Sequence, residues 1–304
     1  MTQPLDRLRI YLLWLGVILT VFAQAIHWDE VLDRYFFFFI VFLTGIPHGS
    51  LDYYVEKRNS ALLNEPLSLR FFLAKYLFHM MLYGMVWYYM PVLGLAIFIL
   101  LAAYHFGEID WPTRGGGLQN RLFPTIYGMT FILFIIGCHI ETAAPILEGI
   151  VISKVSLDTW IILGQSMFRA SSLFLIALLL TLATLYKRLG WSKRERNTFL
   201  IQTIILASVV YMLPLYLAFG FYFGLWHSVL SFNLIRMQMS LEANWTGWSK
   251  LLSRALPFSL LAWIGILLLV FLLGNTQQGL VLSNIFVGIA VLTLPHLQVF
   301  TKIR

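Results

Sequence analysis

Apolar residues run through this chain in long stretches broken by short polar ones. The stretches fall at 9–26, 35–54, 71–89, 91–110, 122–139, 159–186, 198–217, 219–238, 255–273 and 281–300. Each is close to the ~20 residues that a helix needs to cross a bilayer core. Runs of that length read as spanning helices, whose backbone groups bond internally in lipid. The pattern therefore predicts an all-α polytopic helix bundle of about ten spans, with residues 1–304 forming a single integral membrane domain. The division between Tyr216 and Gly220 rests on Pro214 and Gly220 as breakers, and one long helix there is the alternative.

Composition points the same way. The 304 residues are 60% hydrophobic and 12% charged, with mean hydropathy +0.80, too apolar for a soluble domain of this size. With the N-terminus in the cytoplasm, most lysines and arginines fall on that side. They are Arg7 and Arg9; Lys57, Arg58 and Arg70; Arg114 and Arg121; Lys187, Arg188, Lys193, Arg194 and Arg196; Arg236, Lys250 and Arg254; and Lys302 and Arg304. Only Arg34 and Lys154 face the other side. This asymmetry predicts a multi-pass protein of the cell membrane with both termini cytoplasmic. It also assigns the net charge of +7 to loops and lipid headgroups rather than to nucleic acid. Residues 1–26 resemble a signal peptide, with Arg7 and Arg9, an apolar run and Ala23-Gln24-Ala25. The membranous remainder favours an uncleaved first helix. The single cysteine, Cys138, excludes an internal disulfide and a thiolate-rich metal site.

Four histidines lie inside or at the ends of apolar runs in distinctive local settings: Gly45-Ile46-Pro47-His48-Gly49, Tyr104-His105-Phe106-Gly107-Glu108, Leu225-Trp226-His227-Ser228 and Leu294-Pro295-His296-Leu297. An ionisable group at membrane depth is costly and marks a functional site by default. Neutral imidazole is also the commonest metal ligand. In the ten-span topology these histidines sit on spans two, four, eight and ten, which run in the same direction, each at or beyond mid-span toward the cytoplasmic end. Side chains at one depth on parallel helices can converge in a bundle core, so the four read as ligands of one buried metal. A lone histidine in such a place more often packs and donates to a carbonyl. His27 and His139 read as interfacial, and His79 as a packing residue. Imidazole without thiolate suits zinc, copper, iron or nickel. The paired histidine boxes of di-iron membrane enzymes are absent, and no lysine in the last two spans offers a retinal Schiff base.

Carboxylates accompany two of the histidines. Asp52 follows His48 by four residues and Glu108 follows His105 by three, spacings that share a helix face. A metal-bound histidine usually donates its other ring N–H to a carboxylate or a carbonyl, so both acids are candidate partners of the ligands. The competing reading makes Asp52, Glu108 and Asp110 solvated span ends. Pro47 and Pro295 each precede a histidine, where a kink turns the next side chain inward. Aromatics crowd the same segments, and Tyr104, Phe106, Tyr222, Phe223 and Trp226 could wall a slot for a long apolar substrate. Core packing and an interfacial aromatic belt are the plainer account of most of them.

Gly45-Ile46-Pro47-His48-Gly49-Ser50-Leu51-Asp52, Tyr104-His105-Phe106-Gly107-Glu108-Ile109-Asp110, Tyr222-Phe223-Gly224-Leu225-Trp226-His227-Ser228 and Pro295-His296 together resemble the Brp/Blh family of membrane β-carotene 15,15′-dioxygenases. Their order and approximate positions match along most of the chain. The resemblance implies a non-haem Fe(II) enzyme that cleaves the central double bond of β-carotene with O₂ to give two retinals, with a rhodopsin as a possible acceptor. It implies iron ligands at His48, His105 and His227. The family generally carries a second histidine one turn after the residue matching His227, and here that place is Ser231. Either His296 completes the ligand set, or three histidines serve, or the chain has changed substrate or lost iron.

Overall fold

The computed structural model describes residues 7–26, 29–111, 119–152, 154–188, 190–273 and 278–300. Among these every regular element is a helix: α1 (Arg7–Ala25), α2 (Glu30–Ile40), a π-helical turn π1 (Val41–Gly45), α3 (Ile46–Gly49), α4 (Asp52–Leu62), α5 (Leu69–Tyr89), α6 (Pro91–Asp110), α7 (Gln119–Cys138), α8 (Ile140–Ile150), α9 (Leu157–Leu185), α10 (Lys193–Met212), α11 (Leu215–Phe219), a second wide stretch π2 (Gly220–His227), α12 (Ser228–Gln238), α13 (Trp245–Leu273) and α14 (Gln278–Phe300).

The predicted membrane character holds. Eight helical segments are long and apolar enough to cross a membrane, as in a multi-pass membrane protein: Arg7–Ala25, Glu30–Leu62, Pro91–Asp110, Arg121–Cys138, Leu157–Leu185, Leu215–Gln238, Trp245–Leu268 and Leu282–Val299. The other two predicted spans, 71–89 and 198–217, coincide with the 21-residue α5 and the 20-residue α10 but do not meet that standard. α5 carries Arg70 in its first turn and Lys75 and His79 further along, and α10 opens on Lys193-Arg194-Glu195-Arg196, so charge dilutes both. The break between the seventh and eighth predicted spans is real but lies earlier than expected. α10 ends at Met212, Leu213 and Pro214 are extended, and α11 starts at Leu215. Gly220 breaks nothing and instead opens the wide turn.

The described chain divides into two compact units. The first comprises Met1–Val41, Ala103–Ala144 and Leu157–Leu230, and the second Phe42–Ala102, Pro145–Ser156 and Ser231–Arg304. In the first, α1 packs on α10 and π2, α2 on α11 and π2, and α7 on α9 and α10. Asp33 of α2, only 2% exposed, receives the Tyr216 backbone N–H at 3.3 Å. Pro214 offers no side-chain cap, so a carboxylate from another helix satisfies an N–H group at the start of the helix that leads to His227. α10 caps itself: Ser192 accepts from the Glu195 N–H at 3.2 Å while the Glu195 carboxylate accepts from the Ser192 N–H at 2.7 Å. In the second unit, α14 packs on α4, α5 and α13, and α13 on α3.

Both wide turns adjoin a predicted ligand. Pro47 has no N–H to close an α turn onto the Leu43 carbonyl, and π1 ends immediately before the short helix that holds His48. π2 ends on His227 itself. There the Ser228 N–H reaches the carbonyls of Leu225 and Phe223, and the Ser228 hydroxyl donates to Phe223 O at 2.8 Å. π-helical turns are rare and gather at functional sites.

The span count is open to a direct check. Reporter fusions after Arg58, Arg196 and Arg254 are expected to read as cytoplasmic, and a fusion after Met90 as lying on the opposite side. A cytoplasmic signal after Met90 would mean that α5 does not cross, and it would leave the ten-span topology without support.

Candidate metal centre

The four histidines predicted as ligands are all buried, with relative exposures of 4% for His48, 2% for His105, 1% for His227 and 6% for His296. The structure gathers them into two pairs, one in each unit.

In the first unit, His105 from the last turns of α6 faces His227 at the end of π2. Their Nε2 atoms stand 3.0 Å apart and their ring centroids 4.4 Å. Two imidazole nitrogens approach this closely when they share a proton or when both point lone pairs at one cation. Nitrogens bound at about 2.0–2.1 Å to a single ion and subtending roughly a right angle lie about 3 Å apart, so the spacing fits shared ligation. The surroundings are apolar. Phe106 packs on the His227 ring at 4.6 Å, and Phe223 lies parallel to that ring at 6.4 Å and 12°. Tyr222 meets Phe106 edge-on at 5.7 Å and stacks on Phe131 at 5.4 Å. Tyr104, the remaining aromatic before His105, is half-buried.

In the second unit, the rings of His48 and His296 stand edge to face, 4.9 Å apart at 89°. His48 Nδ1 donates to the Gly45 carbonyl at the end of π1. His296 Nδ1 donates to Asp52 Oδ1 at 2.8 Å, and the Tyr76 hydroxyl donates to Asp52 Oδ2 at 3.1 Å. These bonds hold the ring proton on Nδ1 and the lone pair on Nε2, the tautomer and outer contacts typical of metal-bound histidine. The sequence pairs Asp52 with His48 by helical spacing. The structure gives its carboxylate to His296 instead, because the helix is interrupted at Ser50 and Leu51 and the four-residue relation no longer describes one face.

The reading of Asp52, Glu108 and Asp110 as solvated span ends does not survive: they are 3%, 2% and 6% exposed. Glu108 lies one turn past His105 on α6, and Ser231 is fully buried on α12. Arg9, predicted as a cytoplasmic loop charge, is 8% exposed and paired with Asp110 at 3.3 Å. Trp226, placed by sequence among the pocket aromatics, is fully buried and donates its indole N–H to Asp110 Oδ1 at 2.8 Å. Sequence reasoning missed Tyr76, for which no local signal exists. It also missed Gln202, a lone amide in an apolar run and therefore a readable one. Of the other histidines, His79 bonds back to the Lys75 carbonyl at 2.7 Å and His139 to the Val210 carbonyl at 2.9 Å. His27 lies outside the described residues.

Two glycines in the histidine motifs differ in what they permit. A Cβ on Gly107 would stand 1.8 Å from the Pro124 carbonyl oxygen, so α6 and α7 approach through bare backbone just past His105. Beside Gly49 the nearest atom to such a Cβ is His296 Nδ1 at 3.5 Å, an ordinary contact. Gly107→Ala is therefore expected to cost about 3 kcal/mol, the upper part of the overpacking range, and Gly49→Ala much less. Thermal unfolding of the two variants in detergent checks the contrast.

Comparison with known proteins agrees with this chemistry. A curated relative, the beta-carotene 15,15'-dioxygenase of uncultured marine bacterium 66A03, is 21% identical over 260 residues, covering 85% of this chain and 89% of the relative. No solved structure matches. The family model described as Beta-carotene 15,15'-dioxygenase matches residues 39–304, a range that holds all four buried histidines, and the chain belongs to that family.

Proposed function

We propose that this protein cleaves the central double bond of β-carotene or a related carotenoid with O₂, giving two retinals, at a single Fe(II) held by His48, His105, His227 and His296. The observation that carries the reading is the family match across 39–304, together with the burial of all four histidines in two close pairs. Bound iron would supply the site for O₂ activation. The chain's own residues do the rest. Asp52 and the Gly45 carbonyl hold the ring protons of His296 and His48 on Nδ1. Phe106, Tyr222 and Phe223 keep water from the His105–His227 pair and offer flat faces to a polyene. Alignment of the polyene in such a slot selects which double bond breaks. The proposal includes the ten-span topology with cytoplasmic termini, and release of retinal into the bilayer for a rhodopsin or another acceptor.

Expression in bacteria that accumulate β-carotene tests the activity. The cells are expected to bleach and retinal to appear in extracts. Well-expressed protein with unchanged carotenoid would overturn the reading in favour of a carotenoid-binding protein.

The ligand set is tested by metal content. Purified protein is expected to hold about one iron per chain, and His48→Ala or His105→Ala to lose most of it, since water in an apolar pocket replaces an imidazole poorly. His296→Ala is expected to lose iron as well, because the Asp52 contact gives His296 the outer shell of a ligand. Ser231→His should then add little. The reverse pattern, with His296→Ala unaffected and Ser231→His gaining iron, would place the fourth ligand on α12.

A further inference from the structure

Beside the His105–His227 pair lies a buried polar cluster that the proposed chemistry does not use. Asp110, at the end of α6 and five residues past His105, is its centre. One of its oxygens, Oδ1, accepts from three donors on three other elements. They are Trp226 Nε1 of π2 at 2.8 Å, Arg9 Nη1 of α1 at 3.3 Å and Gln202 Nε2 of α10 at 3.4 Å. Arg9 also donates to Gln202 Oε1 at 3.0 Å and to the Ile109 carbonyl at 2.6 Å. Its guanidinium carbon lies 5.5 Å from the centre of the Trp226 ring, a cation–π arrangement.

Two features make this more than a helix tie. Trp226 immediately precedes His227, and Asp110 shares a helix with His105, so one charge-assisted hydrogen bond links the segments that carry both imidazoles. The histidine end of that link is a π turn, whose hydrogen-bond geometry is less favourable than that of an α-helix. If π2 tightened to α, each residue beyond the change would rotate about the helix axis, and the His227 ring would leave the His105 ring. A fixed Trp226 indole resists that rotation.

We propose that Asp110, held by Arg9 and Gln202, is a positioning residue that pins the π turn through Trp226 and so sets the 3.0 Å spacing of the His105 and His227 nitrogens. This rests on the metal-site reading for its consequence in the enzyme, but the pin itself is a property of the metal-free chain. Trp226→Phe is the decisive variant. It removes the indole N–H, keeps an aromatic ring and leaves the Arg9–Asp110 ion pair whole, whereas Asp110→Leu would strand a buried cation and unfold the site. Trp160→Phe is the control, since the indole N–H of that buried tryptophan on α9 has no partner among the described residues.

Two measurements on the full chain in detergent separate the pin from the metal reading. In chelator-treated protein, Trp226→Phe is expected to raise amide hydrogen exchange across 220–228 by about tenfold, the effect of losing one bond to a charged acceptor, while Trp160→Phe matches the parent. In a cobalt(II) titration followed by visible absorption, Trp226→Phe is expected to bind about tenfold more weakly with displaced d–d bands, again with Trp160→Phe unchanged. Exchange and cobalt spectrum both identical to the parent would overturn the pin. A parent that binds no cobalt would overturn the metal reading, and the exchange comparison would still decide the pin.

Discussion

In an apolar interior no water is at hand to satisfy a polar group, so each buried nitrogen or oxygen needs a partner within the protein or a bound ligand. That constraint organises this molecule. A histidine carries two ring nitrogens, and satisfying one determines what the other can do. His48 and His296 each spend Nδ1 on an acceptor, a backbone carbonyl in one case and the Asp52 carboxylate in the other. Asp52 then draws in the Tyr76 hydroxyl. Asp110 does the same on a larger scale, gathering an arginine, a glutamine and a tryptophan onto a single oxygen. The buried carboxylates Asp52 and Asp110 thus each sit in a knot that joins side chains from several helices.

The knots coincide with departures from regular helix. At both wide turns a backbone carbonyl also accepts from a side chain. At the end of the first the Gly45 carbonyl accepts from the His48 ring, and in the second the Phe223 carbonyl accepts from the Ser228 hydroxyl. Such turns store less favourable backbone geometry, which persists only where the surroundings over-determine it. Here the surroundings are the Asp110 cluster on one side of His227 and the packed rings of Phe106 and Phe223 on the other. The same packing that stabilises the turn also makes the neighbourhood of the imidazoles dry.

The family resemblance implies a histidine at the place of Ser231, and that residue is fully buried. A hydroxyl in that place is small and can bond within its own helix, so losing the imidazole there leaves no charged or bulky group to accommodate. His296 meanwhile has the carboxylate contact expected of a ligand.

Much of this was legible in the residues themselves. Apolar runs near the bilayer length predict helices and membrane character, because the hydrophobic requirement acts locally and leaves its mark in composition. The four histidines stand out for the same reason: a polar group in an apolar run is a local anomaly with a known cost. Spacing alone misassigned Asp52, since the i to i+4 rule presumes an unbroken helix and Ser50-Leu51 interrupts it. Nor could it show that Arg9 and Trp226 both meet Asp110, which lies 101 residues from the first and 116 from the second. The pairing of His105 with His227, of His48 with His296, and of Asp33 with the start of α11 joins residues far apart in sequence. No periodicity encodes such contacts. Which buried donor meets which acceptor follows from helix packing and from the wide turns, and only the tertiary structure decides both.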